Sequence, residues 1–249
     1  MAWQVNFAQK IATTAAKLGI KSYELCESST GYLWIFFVYT GKGQANEQTE
    51  QQTDEDLQDS ILIDLTDDIS NDLTTDDSAK PPPATNATAQ IVHTLAKPLL
   101  GKGHTIIMDN FYNSPLLARY LKSNNTDCFG TLRVIREFVP ESFKSVSKSE
   151  LRPGEVMLSY CEDLLIMMWR DTNVVAMVST FHDGKVGGKE KYGHYKYKPQ
   201  IVLEYNHSMG GVDKKDQLLF SHPMERSRNK IWYKKVFRRL LNVFHLKRL

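Results

Sequence analysis

The stretch HTIIMDNFYNSPLLARYL, residues 104–121, combines three local signals that together indicate the class of fold. His104 to Met108 is an apolar run with the length of a short buried strand, and it ends on an acid, Asp109. Ser114 followed by Pro115 is a typical helix start, because serine can cap the first turn and proline is tolerated at its first position. A strand, a turn and a helix in direct succession predict an α/β fold.

The segments on both sides of this stretch extend the α/β prediction. Upstream, residues 21–27 and 32–39 have strand composition around a turn at 28–31, and residues 88–100 have helical composition. Residues 6–18 carry apolar side chains at helical spacing, which predicts a further helix. Downstream, the pattern predicts strands at 155–160, 164–169 and 174–181, and helices at 212–220 and 231–246.

Residues 45–88 differ in composition from the rest of the chain. They hold twelve Asp and Glu but one Lys, together with three successive prolines. Such a segment has too few apolar side chains to order itself, so we predict a disordered acidic insertion. Without it, 30 basic and 17 acidic residues remain, a formal net charge of +13. Residues 214–249 alone carry eleven Lys and Arg, which is typical of a nucleic-acid-binding surface or of a solvated helix face.

The cysteines and the apolar runs indicate the cellular compartment. Cys26, Cys128 and Cys161 are widely spaced and form no CxxC pair, which argues against a disulfide framework or a structural zinc site. The apolar run at 33–39 is too short to span a bilayer, and residues 1–20 lack the layout of a secretory signal. We expect a soluble protein of a reducing compartment with no membrane partner.

Four acids are candidates for phosphodiester chemistry. Glu27 and Asp109 each follow a predicted strand, and Asp213 and Asp216 lie at the start of a predicted helix. Convergent carboxylates are the ligands that Mg²⁺ or Mn²⁺ prefers, and two ions about 4 Å apart can activate a hydroxyl and stabilise a leaving oxygen. Three of the four acids also have an ordinary structural alternative: Glu27 can face solvent at a hairpin, Asp109 can cap a turn, and Asp213 can cap its helix.

Five sequence blocks, in order from about Lys17 to Asn242, resemble the piggyBac transposase family in its transposable-element-derived form. They are KLGIKSYELCESSTGYLWIFFVYTGKG, LLGKGHTIIMDNFYNSPLLARYL, CFGTLRV, KPQIVLEYNHSMGGVDKKDQLL and SRNKIWYKKVFRRLLN. DNFYNS and GGVDKKDQ are the most diagnostic pieces. The resemblance implies a ribonuclease H-like core with a β-rich insertion before the last catalytic helix. It also implies metal-dependent nicking at transposon ends, hairpin formation and rejoining at TTAA sites in double-stranded DNA.

By this resemblance, Asp109 and Asp213 are the family's second and third catalytic aspartates, and with Asp216 they would hold Mg²⁺ or Mn²⁺. The family's leading aspartate lies in a DEQ block upstream of GIKSYELCES, and residues 1–20 contain no such block. Glu27 matches a different acid of the family, so it is a candidate only as a substitute ligand. The first strand, which is central in this fold, is therefore expected to be missing, as are the family's dimerisation portion and its cysteine-rich zinc domain.

Two functions follow as hypotheses. The first is a transposase catalytic domain with degraded activity, and the alternative is a domesticated, non-catalytic DNA or chromatin binder derived from a transposase. Both place the protein in the nucleus. The predicted organisation is a first core part with the hairpin at 1–44, the acidic insertion at 45–88, core with Asp109 at 89–131, a β-rich insertion at 132–200 and a helical core part with Asp213 at 201–249.

The partners expected from the sequence are DNA, a second copy of the chain and SUMO. Residues 60–71 (SILIDLTDDISN) have the composition of a strand that adds to the SUMO sheet edge, although a chance apolar patch explains them more simply. Residues 189–198 interleave Lys and Tyr, which suits phosphate contact and base stacking or a solvated connection. Trp232 matches a tryptophan that the family uses near its DNA ends. The DNA-binding candidates are Trp232, Lys189, Lys191, Tyr195, Lys196, Lys198, Lys214, Lys215, Arg226, Arg228, Lys230, Lys234, Lys235, Arg238 and Arg239.

Overall fold

The computed structural model describes residues 9–10, 18–19, 21–39, 87–146, 150–191, 194–221 and 232–246. The strands within these residues are β1 (Gln9–Lys10), β2 (Leu18–Gly19), β3 (Ser22–Cys26), β4 (Leu33–Val38), β5 (Thr105–Met108), β6 (Asp127–Thr131), β7 (Val156–Cys161), β8 (Leu164–Arg170), β9 (Val174–Ser179), β10 (Val186–Lys191) and β11 (His194–Pro199). The α-helices are α1 (Ala87–Ala96), α2 (Pro115–Ser123), α3 (Glu141–Lys144), α4 (Gln200–Ser208), α5 (Gly211–Ser221) and α6 (Trp232–Leu246).

The largest sheet has five strands in the order β5-β6-β9-β8-β7. β5 and β6 are parallel and joined through α2, whereas the other neighbours are antiparallel. β8 is apolar at nearly every position because both of its faces are covered. Leu165 and Met167 pack with Ile201 of α4 on one face, and Ile166 and Met168 pack in the cluster that includes α2 on the other.

The hairpin of β3 and β4 forms a separate two-stranded sheet beside the five-stranded one. Helix α1 bridges the two sheets: Ile91 and Leu95 pack on Tyr23 of the hairpin, whereas Val92 and Ala96 belong to the core of the larger sheet. In the described part of the chain, no strand joins β3 to β5.

The predicted helix at residues 6–18 is wrong where the structure describes it. Gln9 pairs with Gly19 and Lys10 with Leu18 in the short antiparallel pair of β1 and β2. Helical spacing of a few apolar residues is weak evidence, because tertiary pairing overrides local propensity. Residues 45–86 of the predicted acidic insertion, including the 60–71 segment, lie outside the described residues, and α1 already begins at Ala87.

The remaining local predictions are confirmed. The hairpin, β5, α2, β7 to β9, α5 and α6 form where the patterns indicated them. Ser114 caps α2, accepting a hydrogen bond from Leu117 N at 3.2 Å, and Pro115 occupies the first helical position. α4 and the β10-β11 hairpin were not predicted as separate elements, although they lie in the parts predicted to be helical and β-rich, respectively. All three cysteines are free.

Among the helices that the structure describes, none combines the length and apolarity needed to cross a lipid bilayer.

Candidate functional site

Asp109 lies at the carboxyl end of β5, where the chain turns toward α2. Its Oδ1 accepts a hydrogen bond from Phe111 N at 3.0 Å, so the side chain closes the turn that follows the strand. The buried Asn113 amide donates to Met108 O at 3.2 Å and to Thr131 O at 3.0 Å, which ties the ends of β5 and β6 together. The position of Asp109 is therefore fixed by a hydrogen-bonded turn between two parallel strands.

Asp213 lies in the first turn of α5 and is exposed. The start of this helix is docked on the turn of the β3-β4 hairpin. Lys214 Nζ donates to Ser28 O at 2.9 Å and to Ser29 O at 3.0 Å, and Ser28 Oγ donates to Ser208 O at 2.5 Å. The two Lys214 bonds hold the helix that carries Asp213 against the hairpin that carries Glu27, and the Ser28 bond ties the same hairpin to the end of α4.

Asp216 is engaged by two cations, one turn further along α5. Its Oδ1 lies 2.8 Å from Arg239 Nη2 of α6 and 3.1 Å from Lys215 Nζ. Burial and then the Asp216 carboxylate raise the pKa of the Cys26 thiol to about 11, which places the Asp216 charge close to the end of β3. Asp216 thus serves an ion-pair network between α5, α6 and the hairpin.

Lys215 is buried and forms an ion pair with Glu24 of β3, a contact that the sequence did not indicate. Burial lowers the pKa of the Lys215 ammonium, and the neighbouring Asp216 opposes this shift. A lysine that pairs inside the fold is not a surface cation, so its predicted contact with DNA is not supported. Neither the composition nor the residue spacing of α5 could predict that one of its two lysines is buried.

Glu27 is exposed at the hairpin turn, and its Oε2 accepts a hydrogen bond from Thr30 Oγ1 at 2.5 Å. Within the described residues, no group of three or more His, Cys, Asp and Glu side chains converges as a metal site requires. Asp216 is paired with two cations, and Glu27 accepts a hydrogen bond within the hairpin turn. These contacts engage Asp216 and Glu27 within the fold, and a metal-binding role for the four acids stays a prediction.

The predicted DNA-binding residues fall into three groups. Arg226, Arg228 and Lys230 lie outside the described residues. Lys189, Lys191, Tyr195 and Lys196 belong to the β10-β11 hairpin, and Trp232 and Lys235 to α6, but the positions of these side chains are outside the described part.

The other side chains of the predicted set are placed by the structure. Lys234 is exposed and Arg238 is half-buried, both on α6, whereas Arg239 pairs with Asp216. Lys198 stacks 5.6 Å from the Trp169 ring centroid, and its Nζ lies 3.9 Å from Asp171 Oδ2. Lys214 is exposed, although its ammonium is bound to the hairpin turn. Lys234 and Arg238 are thus the best placed of the described candidates for contact with an external anion.

Two arginines that contact Phe111, in the turn after Asp109, were missed. Arg133 is exposed with its guanidinium carbon 5.8 Å from the Phe111 ring centroid, and Arg136 Nη2 donates to Phe111 O at 2.5 Å. A usable signal existed in the sequence. Both arginines follow β6, and the carboxyl ends of parallel strands such as β5 and β6 meet at one edge of a sheet.

Comparison with known proteins identifies the family. A family model described as Transposase IS4 matches residues 2–76 and 72–246. The cryo-EM structure of a piggyBac transposase synaptic complex with hairpin DNA has a similar fold, with a TM-score of 0.70 and 23% sequence identity. That match covers 97% of this chain and 42% of the other chain. The chain therefore belongs to the Transposase IS4 family and carries the ribonuclease H-like fold of the piggyBac transposase.

Proposed function

We propose that this chain binds double-stranded DNA as a transposase-derived domain, with α6 providing a principal phosphate-contacting surface. The observation that carries the proposal is the composition of this helix: WYKKVFRRLLNVFHL contains four Lys and Arg and no acid. Lys234 and Arg238 are four residues apart and so lie on one side of the helix, where both retain exposed surface. Such a row can follow a phosphate backbone without reading its sequence.

The orientation of α6 leaves this basic row accessible. Val243 and Asn242 are buried against α5, and Asn242 Nδ2 donates to Leu219 O at 3.3 Å. Arg239 is occupied by Asp216 on the packed side. Arg239 therefore has a structural role on the packed side of α6, whereas Lys234 and Arg238 are the two cations that we assign to DNA. The structure of similar fold contains hairpin DNA, which supports the same class of partner here.

Salt dependence tests this assignment. In the double variant Lys234→Gln/Arg238→Gln, we expect DNA binding to weaken for every sequence. The slope of log K against log salt should fall in magnitude by about 1.8, because each lost phosphate contact contributes roughly 0.9. The measurement is fluorescence anisotropy of a labelled duplex at several salt concentrations.

The matched control removes the same charge elsewhere. Lys144 and Lys185 are surface lysines paired with Glu141 at 3.1 Å and Asp183 at 2.5 Å, respectively. The variant Lys144→Gln/Lys185→Gln should leave the slope almost unchanged. An equal loss of slope in both double variants would mean that net charge, and not α6, governs binding.

We further propose that the domain in this arrangement does not cleave DNA, which favours the domesticated binder over the active transposase. The support comes from the contacts of the acids. Asp216 is paired with Arg239 and Lys215, and Glu27 accepts a hydrogen bond from Thr30. Among the residues that the structure describes, no three His, Cys, Asp or Glu side chains converge as a metal site requires. The position of Asp109 between parallel strand ends is the observation that favours the catalytic alternative. Action in the nucleus and on TTAA sites, pairing with a second copy, and SUMO contact through 60–71 remain proposals that the sequence motivates.

Manganese titration tests whether the chain has the metal site that DNA cleavage would need. It requires no knowledge of a cognate DNA. We expect calorimetry of the full chain to reveal no saturable binding at sub-millimolar manganese, because the described acids do not converge. Binding heat that Asp109→Asn and Glu27→Gln each abolish, and that the exposed control Glu141→Gln retains, would contradict the proposal. That outcome would establish a working metal site and justify a search for transposon ends.

A further inference from the structure

The loop that follows β6 contacts Phe111, in the turn after Asp109, and is buried at both ends. Leu132 and Val139 are 5% and 4% exposed, and Leu132 N donates to Ala176 O at 2.9 Å. Between them, Arg136 N donates to Arg133 O at 3.1 Å, which closes a turn. The outward positions of this loop are therefore fixed by the fold.

Two large apolar side chains occupy those outward positions. Ile135 is 80% exposed and Phe138 is 70% exposed, although both ends of the loop insert into the core. Phe138 also has a φ of 62°, in the left-handed region that bulky residues rarely adopt. Strain of this kind persists only where the surrounding structure imposes it, and it occurs often at ligand-binding sites. The stability of the fold favours neither the exposure of Ile135 and Phe138 nor the backbone conformation of Phe138.

Cations flank the two apolar side chains and connect the loop to the Asp109 turn. The Arg133 guanidinium carbon is 5.8 Å from the Phe111 ring centroid, and Arg136 donates to Phe111 O. Phe111 N in turn donates to Asp109 Oδ1. Glu137 is the one acid between Arg133 and Phe138, so this part of the loop carries a net positive charge. The loop thus combines apolar tips with positive flanks.

We propose that Ile135 and Phe138 form a wedge that enters a DNA base step, with Arg133 contacting the adjacent phosphate. Apolar side chains inserted between base pairs unstack them and bend the duplex, and flanking cations hold the backbone. Phe138 on a rigid turn is suited to this role because little side-chain freedom is lost on insertion. The inference rests on the proposed DNA binding and adds deformation of the duplex to it.

The experiment uses the full chain and a duplex with 2-aminopurine at a TA step, since pyrimidine–purine steps unstack most readily. Binding of the wild type should raise 2-aminopurine fluorescence several-fold. The variant Ile135→Ser/Phe138→Asn should lose most of that rise while its salt slope stays within error of the wild type. Asparagine tolerates the left-handed conformation, so this variant is expected to fold. Phe220→Ser, at a site 86% exposed on α5, is the matched control and should behave as the wild type does.

The outcomes separate the wedge from DNA binding itself. Salt-dependent binding of the wild type without a fluorescence rise, or an equal rise in the double variant, would overturn the wedge and leave the proposed function standing. A rise lost equally in Phe220→Ser would also overturn it, because any exposed apolar residue would then have the same effect. Absence of salt-dependent binding by the wild type would overturn both proposals.

Discussion

A Gly130→Ala variant is expected to be less stable than the wild type by roughly 3–5 kcal/mol, from backbone strain and overpacking together. Gly130 has a φ of +154°, which L side chains rarely adopt. An added Cβ would lie 1.8 Å from Met108 O, 2.9 Å from Met108 C and 2.8 Å from Asn113 Nδ2. Two of these atoms are backbone of the neighbouring strand, so the clash cannot be relieved by a rotamer change. Strands β5 and β6 must therefore move apart.

The displacement would reach the candidate site, because Met108 immediately precedes Asp109. It would also break the hydrogen bond from Asn113 Nδ2 to Met108 O that ties the two strand ends. Urea denaturation measured by circular dichroism gives the stability change, and amide exchange at residues 105–113 reports the local opening.

Gly101→Ala provides the control for strain without a clash. Gly101 has a φ of +74°, but a Cβ there would meet nothing within 4 Å. This variant should lose only about 1–2 kcal/mol, the conformational part of the effect. Equal losses in the two variants would mean that Gly130 is required for its dihedral angle alone and that β5 and β6 are not packed as closely as described.

The elements that the sequence predicted correctly depend on local signals. The unit from β5 to α2 follows from an apolar run, a turn and the Ser114-Pro115 helix start, and each of these signals acts within a few residues. The resemblance correctly implied the fold, because DNFYNS and GGVDKKDQ lie where the fold needs a turn and a helix start. Asp109 and Asp213 could thus be placed on elements from sequence alone.

The elements that were missed depend on contacts between distant residues. β1 and β2 form because Lys10 pairs with Leu18, a choice that helical spacing cannot reveal. β9 itself was predicted, but its place between β6 and β8 was not, because nothing in its apolar composition specifies a partner strand. The ion pair between Asp216 and Arg239 could not be predicted, because Arg239 belongs to another helix. The motif predicts the element on which a carboxylate lies, whereas the role of that carboxylate depends on its contacts with residues distant in sequence.

Lys215 is the clearest example of a role that depends on distant contacts. Of all substitutions on α5, we expect its replacement to lower the free energy of unfolding the most. The Lys215 side chain is 4% exposed and that of Glu24 is 12% exposed, so their ion pair is almost wholly desolvated. In Lys215→Met, the methionine fills a similar volume, but Glu24 loses its cation and keeps the hydrogen bond from Ser22 Oγ. Breaking a buried pair in this way typically destabilises a protein by about 3–5 kcal/mol, a large part of the total stability of a domain.

A double-mutant cycle separates the lost pair from lost packing. Glu24→Leu/Lys215→Met replaces both charges by apolar side chains of similar size, and such replacements are often neutral. We therefore expect the double variant to be more stable than Lys215→Met alone by at least about 2 kcal/mol, as measured by urea denaturation at pH 7. If the second substitution instead adds its own loss to the first, Glu24 and Lys215 do not form a desolvated pair. DNA binding through α6 should survive in the double variant, because Lys234 and Arg238 are unchanged and Lys215 acts inside the fold.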